Sequence, residues 1–153
     1  MQQGIPKIVI LQKGQVYQIM GANLPGSFMN GYELTGTKIR ALVQGKPVAV
    51  FAGSSRTGNA ANCGNAGRDN DIVQLFPIHI WGKKYLTAPT ATGNNVSATS
   101  TNLYKITVYD TTTIVKRNGT TLTGLINQRY YQFESNVPEY IEGDKPIMVA
   151  QFM

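Results

Sequence analysis

The sequence predicts an all-β module, an antiparallel two-sheet sandwich built from repeated β units, with adjacent propeller-like blades as the alternative topology. Three observations lead there. Of the 153 residues only 14% are charged, while Gly, Thr, Asn, Tyr and Val are plentiful and the helix-favouring Ala, Leu, Glu and Lys never cluster. Short apolar or alternating runs bounded by Gly, Pro, Asn and Thr recur from end to end, with little helical periodicity between them. Finally, "GKPVAVFAG" at 45–53 returns as "GDKPIMVAQF" at 143–152, a glycine-led turn, a Lys-Pro step and an apolar run each time, which marks one strand position in a repeated unit.

The elements follow in chain order, about eight or nine strands in all. "KIVIL" at 7–11 and "QVYQIM" at 15–20 flank Lys13-Gly14 as a first hairpin. In "TKIRALV" at 37–43, Ile39, Ala41 and Val43 alternate with Lys38, Arg40 and Leu42, the pattern of a strand with one wetter face. "PVAVFA" at 47–52 has no polar member and reads as a central strand covered on both sides. "DIVQLFPIHIWGKKYL" at 71–86 holds two strands broken at Pro77, because proline cannot donate to a central ladder. "LYKITVYD" and "TTIVK" are next, and Asn118-Gly119 supplies the positive φ that a two-residue type I′ hairpin needs. "RYYQF" at 129–133 and "PIMVAQF" at 146–152 complete the set.

Two stretches differ in kind. Residues 53–71, "GSSRTGNAANCGNAGRDND", hold nothing larger and apolar than alanine apart from Cys63, so they read as a long surface loop. Residues 90–102 read as a second polar loop. Loops of this length in a compact β domain are usually binding elements or spacers. The repeat extends beyond the Lys-Pro phrase: Tyr17-Gln18-Ile19 matches Tyr131-Gln132-Phe133, each leading to its own Lys-Pro strand, with "LPGSFMNGYELTGT" inserted in the first copy. On this reading residues 1–153 are a single all-β module in which 1–53 end one β unit, 54–71 are the polar loop and 72–153 form a second unit, excised from a longer array with neighbouring modules on the same chain.

The net charge is +6, but the fourteen Lys and Arg residues are spread along the chain, and a nucleic-acid footprint needs them clustered. Glu134, Glu139, Glu142 and Asp144 gather near the carboxyl end and read as a solvated turn surface. Cys63 alone cannot staple the chain. No apolar run approaches the roughly 20 residues of a membrane-spanning helix, so no membrane insertion is expected.

The one histidine, His79, falls between isoleucines in "PIHIWG" and reads as structural, since a nucleophile needs a base beside it. Nothing in the Gly-Asn surroundings of Cys63 lowers a thiol pKa except the distant Arg56 and Arg68. Asp69 and Asp71 in "GRDNDI" alternate oxygen donors as calcium favours, but the rest of a helical calcium loop is missing and a turn is the simpler account. Catalytic, metal and cofactor sites are therefore not expected. Flat amphipathic rings give contact area at low entropy cost, so Trp81 is a candidate contact residue. The ligand-binding candidates are Arg56, Arg68, Asp69, Asp71 and Trp81.

The run "ELTGTKIRALVQGKPVAVFAGS", then a cysteine-bearing polar loop, "DIVQLFPIHIWGKKYLTAP", "LYKITVYDTTTIVKRNG" and "GDKPIMVAQF" closely resembles the IgGFc-binding protein amino-terminal domain family over nearly the whole chain. The most specific segments are "LTGTKIRA", "KPVAVFAG" and "QLFPIHIWGKKY". Members occur in large secreted mucus proteins of animals and in bacterial surface or secreted proteins. They commonly carry a second cysteine followed by Asp-His before the Gln-Leu strand; here Arg68, Asp69 and Asn70 stand in that place, and only the aspartate survives. Cys63 would then be the stranded partner of a lost disulfide. The resemblance implies a non-catalytic extracellular or cell-surface binding or adhesion module, not an enzyme, recognising a host or surface protein or a glycan. A structural spacer with no ligand of its own is the alternative.

Overall fold

The strand that organises this fold is its last. The computed structural model describes residues 5–28, 30–57, 69–92 and 95–152. Its elements are β1 (Phe51–Thr57), β2 (Asp69–Gln74), a 3-10 turn (Ile78–Ile80), β3 (Gly82–Thr87), β4 (Ala91–Thr92), β5 (Asn95–Thr99), β6 (Asn102–Val108), β7 (Val115–Arg117), β8 (Thr120–Thr121), β9 (Tyr130–Ser135) and β10 (Glu139–Phe152). All pairings are antiparallel. The chain divides into two compact units, Met1–Leu34 and Thr35–Met153, and all named strands belong to the second.

β10 runs for 14 residues and serves two layers. Its first half lies between β3 and β7, with Ile141 opposite both Tyr85 and Arg117. Its second half pairs with β6, Ile147 to Phe152 against Val108 to Leu103, and β6 pairs in turn with β9. Thus β6 and β7 follow one side of β10 as a single broken partner strand. The break, residues 109–114, faces residues 144–146. Strands that bend from one layer into another make the corners of sandwiches, and the fold is a curled, sandwich-like all-β arrangement of this kind.

The corner is legible in its residues. A Cβ on Gly143 would stand 2.7 Å from the Lys145 carbonyl oxygen and 2.9 Å from Ile147 Cγ2, so only glycine fits. Pro146 costs no ladder bond where pairing is already interrupted. The backbone N–H of Asp144 donates to Ile114 O (3.1 Å), and Ile114 N–H donates back to Asp144 Oδ1 (2.8 Å). Lys145 Nζ reaches Asp110 Oδ2 at 2.6 Å and also bonds Thr112, while Asp110 accepts from the Thr112 backbone (2.9 Å) and hydroxyl (2.8 Å). These bonds hold the Asp110 carboxyl well below its ordinary 3.8, the Lys145 bond first among them.

Inside the corner lie Ile106, Val108 and Tyr131 from one layer, Val115 and Ile141 from the other, and Ile147 at the bend. Ile106, Ile141 and Ile147 are fully buried, each worth roughly 1.5–3 kcal/mol on removal from water. Inward positions alternate along β6, where Tyr104, Ile106 and Val108 face the core. Tyr104 stacks on Phe133 with ring centroids 5.3 Å apart.

A buried carboxylate ties the ends together. The Glu139 side chain is wholly buried and paired with Arg117. It also accepts from Ser135 Oγ and Asn118 Nδ2, and its backbone N–H donates to Thr87 Oγ1 at 3.2 Å. One carboxylate therefore touches β7, β9 and the turn after β7, with β3 bonded to its backbone. Asn118 and Gly119 take φ of 48° and 83°, as a type I′ turn requires. The Arg117 bond, joined by Ser135 and Asn118, holds the Glu139 carboxyl below its ordinary 4.5 against the upward push of burial.

Several elements differ from the sequence expectation. "PVAVFA" is not a covered central strand: the strand starts only at Phe51, and Val48 and Phe51 are exposed. "TKIRALV" forms no strand; Lys38 Nζ instead reaches Tyr109 O at 3.1 Å, and Gly36 packs on Arg129. "PIHIWG" is a 3-10 turn rather than a strand, because Ile80 and Trp81 bond back to Pro77 and Ile78. Part of the 90–102 loop is the β4–β5 hairpin. The two Lys-Pro phrases occupy unlike places. Lys46 follows an exposed turn closed by its own N–H to Val43 O at 3.3 Å, whereas Lys145 sits at the corner. The pattern was right about composition, but long-range pairing decides which apolar run is covered.

In the unit Met1–Leu34 the predicted turn at Lys13-Gly14 is present, with Gly14 at φ 83° and Gln15 N–H donating to Gln12 O at 3.0 Å. The flanking runs form no ladder among the described residues, and Ile8, Ile10 and Val16 are exposed. A lone two-stranded ribbon is marginal in water.

Two outcomes are expected. Gly143→Ala should lose about 1–3 kcal/mol in urea unfolding, from the clash at the bend. Glu139→Ala, which strands Arg117, should lose about 3 kcal/mol. Because the folded Glu139 titrates below its unfolded value, its contribution is complete above pH 4.5 and lost as pH falls through the folded value. Urea midpoints measured on the way down should fall less steeply in the variant than in the wild type.

Candidate recognition surface

The binding candidates fall mainly on the β1–β2 ribbon. Its register pairs Phe51 with Gln74, Ala52 with Val73, Gly53 with Ile72 and Ser54 with Asp71, then shifts so that Thr57 meets Asp69. Ser55 and Arg56 therefore stand against the single residue Asn70, a bulge of the kind that re-aims strands next to functional sites. Arg56, Asp69 and Asp71 come to one end of the ribbon, and Asp71 is exposed there. Arg68 and Cys63, with the rest of 58–68, lie outside the described residues.

Trp81 is not brought to that end. It follows Gln74 through the 3-10 turn, and Asp69 and Gln74 are already about 16 Å apart along a strand rising ~3.3 Å per residue. Its ring is half-buried, the indole N–H donates to Phe76 O at 3.0 Å, and its backbone N–H closes the turn onto Ile78 O at 3.1 Å. The turn holds Phe76, His79 and Ile80 exposed. His79 is thus a surface residue rather than a packed one.

A second surface, missed by the sequence reading, lies on the outer side of the corner. Lys84, Glu142 and Lys116 form a row across β3, β10 and β7, and Leu86 stands opposite Tyr140 in the same pairing. Tyr140 Oη donates to Glu142 Oε2 at 3.1 Å. Beside this row is an open hollow of about 280 Å³ lined by Ile114, Lys116, Glu142, Gly143 and Asp144. The acids near the carboxyl end read as a solvated turn surface; the pairing instead sets Glu142 between Lys84 and Lys116, and Glu139 is buried. Among the described residues, no group of three His, Cys, Asp or Glu side chains could hold a metal ion.

Comparison with known proteins adds what geometry alone does not. The whole chain, residues 1–153, matches the family described as IgGFc binding protein. The chain belongs to that family. No curated protein and no solved structure matches it. The IgGFc-binding family is one of binding domains, and the resemblance carried by "KPVAVFAG" and "QLFPIHIWGKKY" agrees with the match. Among the described residues no helix is long and apolar enough to cross a membrane.

Trp81→Phe keeps an aromatic side chain, though a smaller one, and removes the indole N–H that fastens the turn. It should cost about 1 kcal/mol, the net worth of one hydrogen bond, read by circular dichroism during urea unfolding.

Proposed function

We propose that the chain is a non-catalytic extracellular binding module of a secreted or cell-surface protein, joined there to further modules, that engages a protein or glycan through the bulged end of the β1–β2 ribbon and the polar sequence 58–68 between its strands. The whole-chain match to a family described by its binding of IgG Fc is the observation that carries this reading. The structure supports it with a division of labour: a cornered sandwich locked by buried isoleucines and Glu139, and a separate two-stranded ribbon whose register shift falls at the positions of Arg56, Asp69 and Asp71. Binding residues commonly sit on loops positioned by a rigid scaffold. An immunoglobulin Fc is the first partner to try, since the family is named for it; glycans and other surface proteins are the wider class.

A second reading, a structural spacer without a ligand, draws on the uncovered apolar residues of the ribbon, which a neighbouring module can cover.

The test is direct binding of the whole chain to an Fc fragment, a glycan array and a host-protein array. Recognition predicts reproducible binding that weakens at least about tenfold, or about 1.4 kcal/mol, when residues 54–68 are replaced by a short Gly-Ser linker. Binding untouched by the replacement removes the ribbon loop from the account, and silence across every probe leaves the spacer.

A further inference from the structure

The sequence contains two Asn-Gly steps, Asn30-Gly31 and Asn118-Gly119. Such a step is prone to closing on itself, because glycine leaves the following amide nitrogen unhindered by a side chain. The glycine nitrogen attacks the asparagine Cγ; the N–Cγ bond forms, the Cγ–Nδ2 bond breaks and ammonia departs. Water then opens the cyclic imide to aspartate or, at its other carbonyl, to isoaspartate, so one water is consumed for each ammonia released. The structure places the two steps in opposite surroundings. Asn30 is exposed. Its backbone N–H donates to Ser27 Oγ at 2.9 Å and its carbonyl accepts from Leu24 N–H at 2.8 Å, but its carboxamide makes no hydrogen bond among the described residues. At Asn118 both ends of the carboxamide are held: Oδ1 accepts from Tyr140 N–H at 2.8 Å, and Nδ2 donates to the buried Glu139 carboxylate.

We propose that Asn118-Gly119 is a latent deamidation site, held closed by the Glu139 cluster and converted only when that cluster opens. Closing the imide ring means turning Cγ toward the Gly119 nitrogen, which breaks both side-chain bonds, one of them charge-assisted. The backbone resists as well. Asn118 N–H donates to Tyr140 O at 2.8 Å, the two turn residues hold φ of 48° and 83°, and Thr120 pairs back with Arg117. The Glu139 carboxylate also draws on a proton of Nδ2, the reverse of the protonation that departure as ammonia needs. Conversion is one-way in its effect on the fold. An ionised aspartate has acceptors only, so the donation to Glu139 is lost and a second carboxylate stands against a buried one, where like charges oppose. Isoaspartate lengthens the main chain inside a two-residue turn. Either product withdraws one of the three donors around Glu139, so a chain that has opened carries a covalent mark that weakens reclosure.

The test incubates the whole chain in mildly alkaline buffer, with and without unfolding urea, and maps its peptides by mass spectrometry for amide-to-acid conversion. In urea, Asn30 and Asn118 should convert at similar rates. Without urea, Asn118 should convert at least about tenfold more slowly than in urea, because the reaction draws only on the open fraction, while Asn30 keeps most of its unfolded rate. Glu139→Gln, which preserves size but removes the charged acceptor, should speed conversion at Asn118 and not at Asn30; the comparison of wild type with and without urea stands even where that variant does not fold. Asn118→Asp should lower the urea midpoint, and Asn30→Asp should leave it unchanged. Conversion of native Asn118 at its unfolded rate overturns the proposal. So does equal protection of the two steps, which would take the effect away from the carboxamide bonds, and so does an unchanged midpoint in Asn118→Asp.

Discussion

A strand that must belong to two layers has to bend, and the bend of β10 between Gly143 and Ile147 is the constraint that the rest of this fold obeys. With the bend in place, the first half of the strand accepts β3 and β7 and the second half accepts β6, so Ile141 and Ile147 enter the same core from different layers. The partner strand must break at the same point, and it does so at 109–114, where Asp110 and Thr112 form a small turn of their own. Glycine is required because a Cβ would strike the Lys145 carbonyl, and proline is tolerated because no ladder bond is lost. Pro146 thus falls where the ladder is interrupted, and Gly143 at the last paired position before the break.

The polar groups near the corner follow from the same geometry. Breaking a ladder leaves backbone groups that need partners, and side chains supply them: Asp144 for the Ile114 N–H, and Lys83 for the Asp144 carbonyl at 2.8 Å. Lys145 and Asp110 are both substantially exposed, so their pairing sets direction more than it adds stability. Glu139 is different. Its charge is wholly buried, which is tolerable only because three side-chain donors surround it, one of them the Arg117 guanidinium, whose Cζ lies 4.1 Å from the centre of the Phe133 ring. Removing a partner from such a site costs more than the pair contributes when complete.

How much of this could be read in the sequence depended on the range of the interaction. The Asn118-Gly119 turn, the break at Pro77, the strands of "LYKITVYD" and "RYYQF" and the all-β class were legible, because turn chemistry and period-two alternation are local. The role of "GDKP" was not: a glycine-led Lys-Pro step reads as a turn, and only the pairing of one strand with both β6 and β7 makes it a corner. For the same reason its twin "GKPVAVFAG" looked equivalent, although among the described residues no strand pairs with Lys46 and Pro47 as β6 and β7 pair around Lys145. In the candidate site, the position of Arg56 falls opposite Asn70, between the pairs Ser54–Asp71 and Thr57–Asp69, at a bulge that no local signal announces. Trp81 was named for its ring and is occupied in holding a turn.

The uncovered strand carries the last step. "PVAVFA" has the composition of a strand buried on both faces, yet Val48 and Phe51 are left in water. In "LYKITVYD" the alternating pattern and the burial agree, with Tyr104, Ile106 and Val108 inward, so the pattern is a faithful guide where the chain supplies its own cover. Where pattern and burial disagree, the physical reading is that cover comes from outside the described structure.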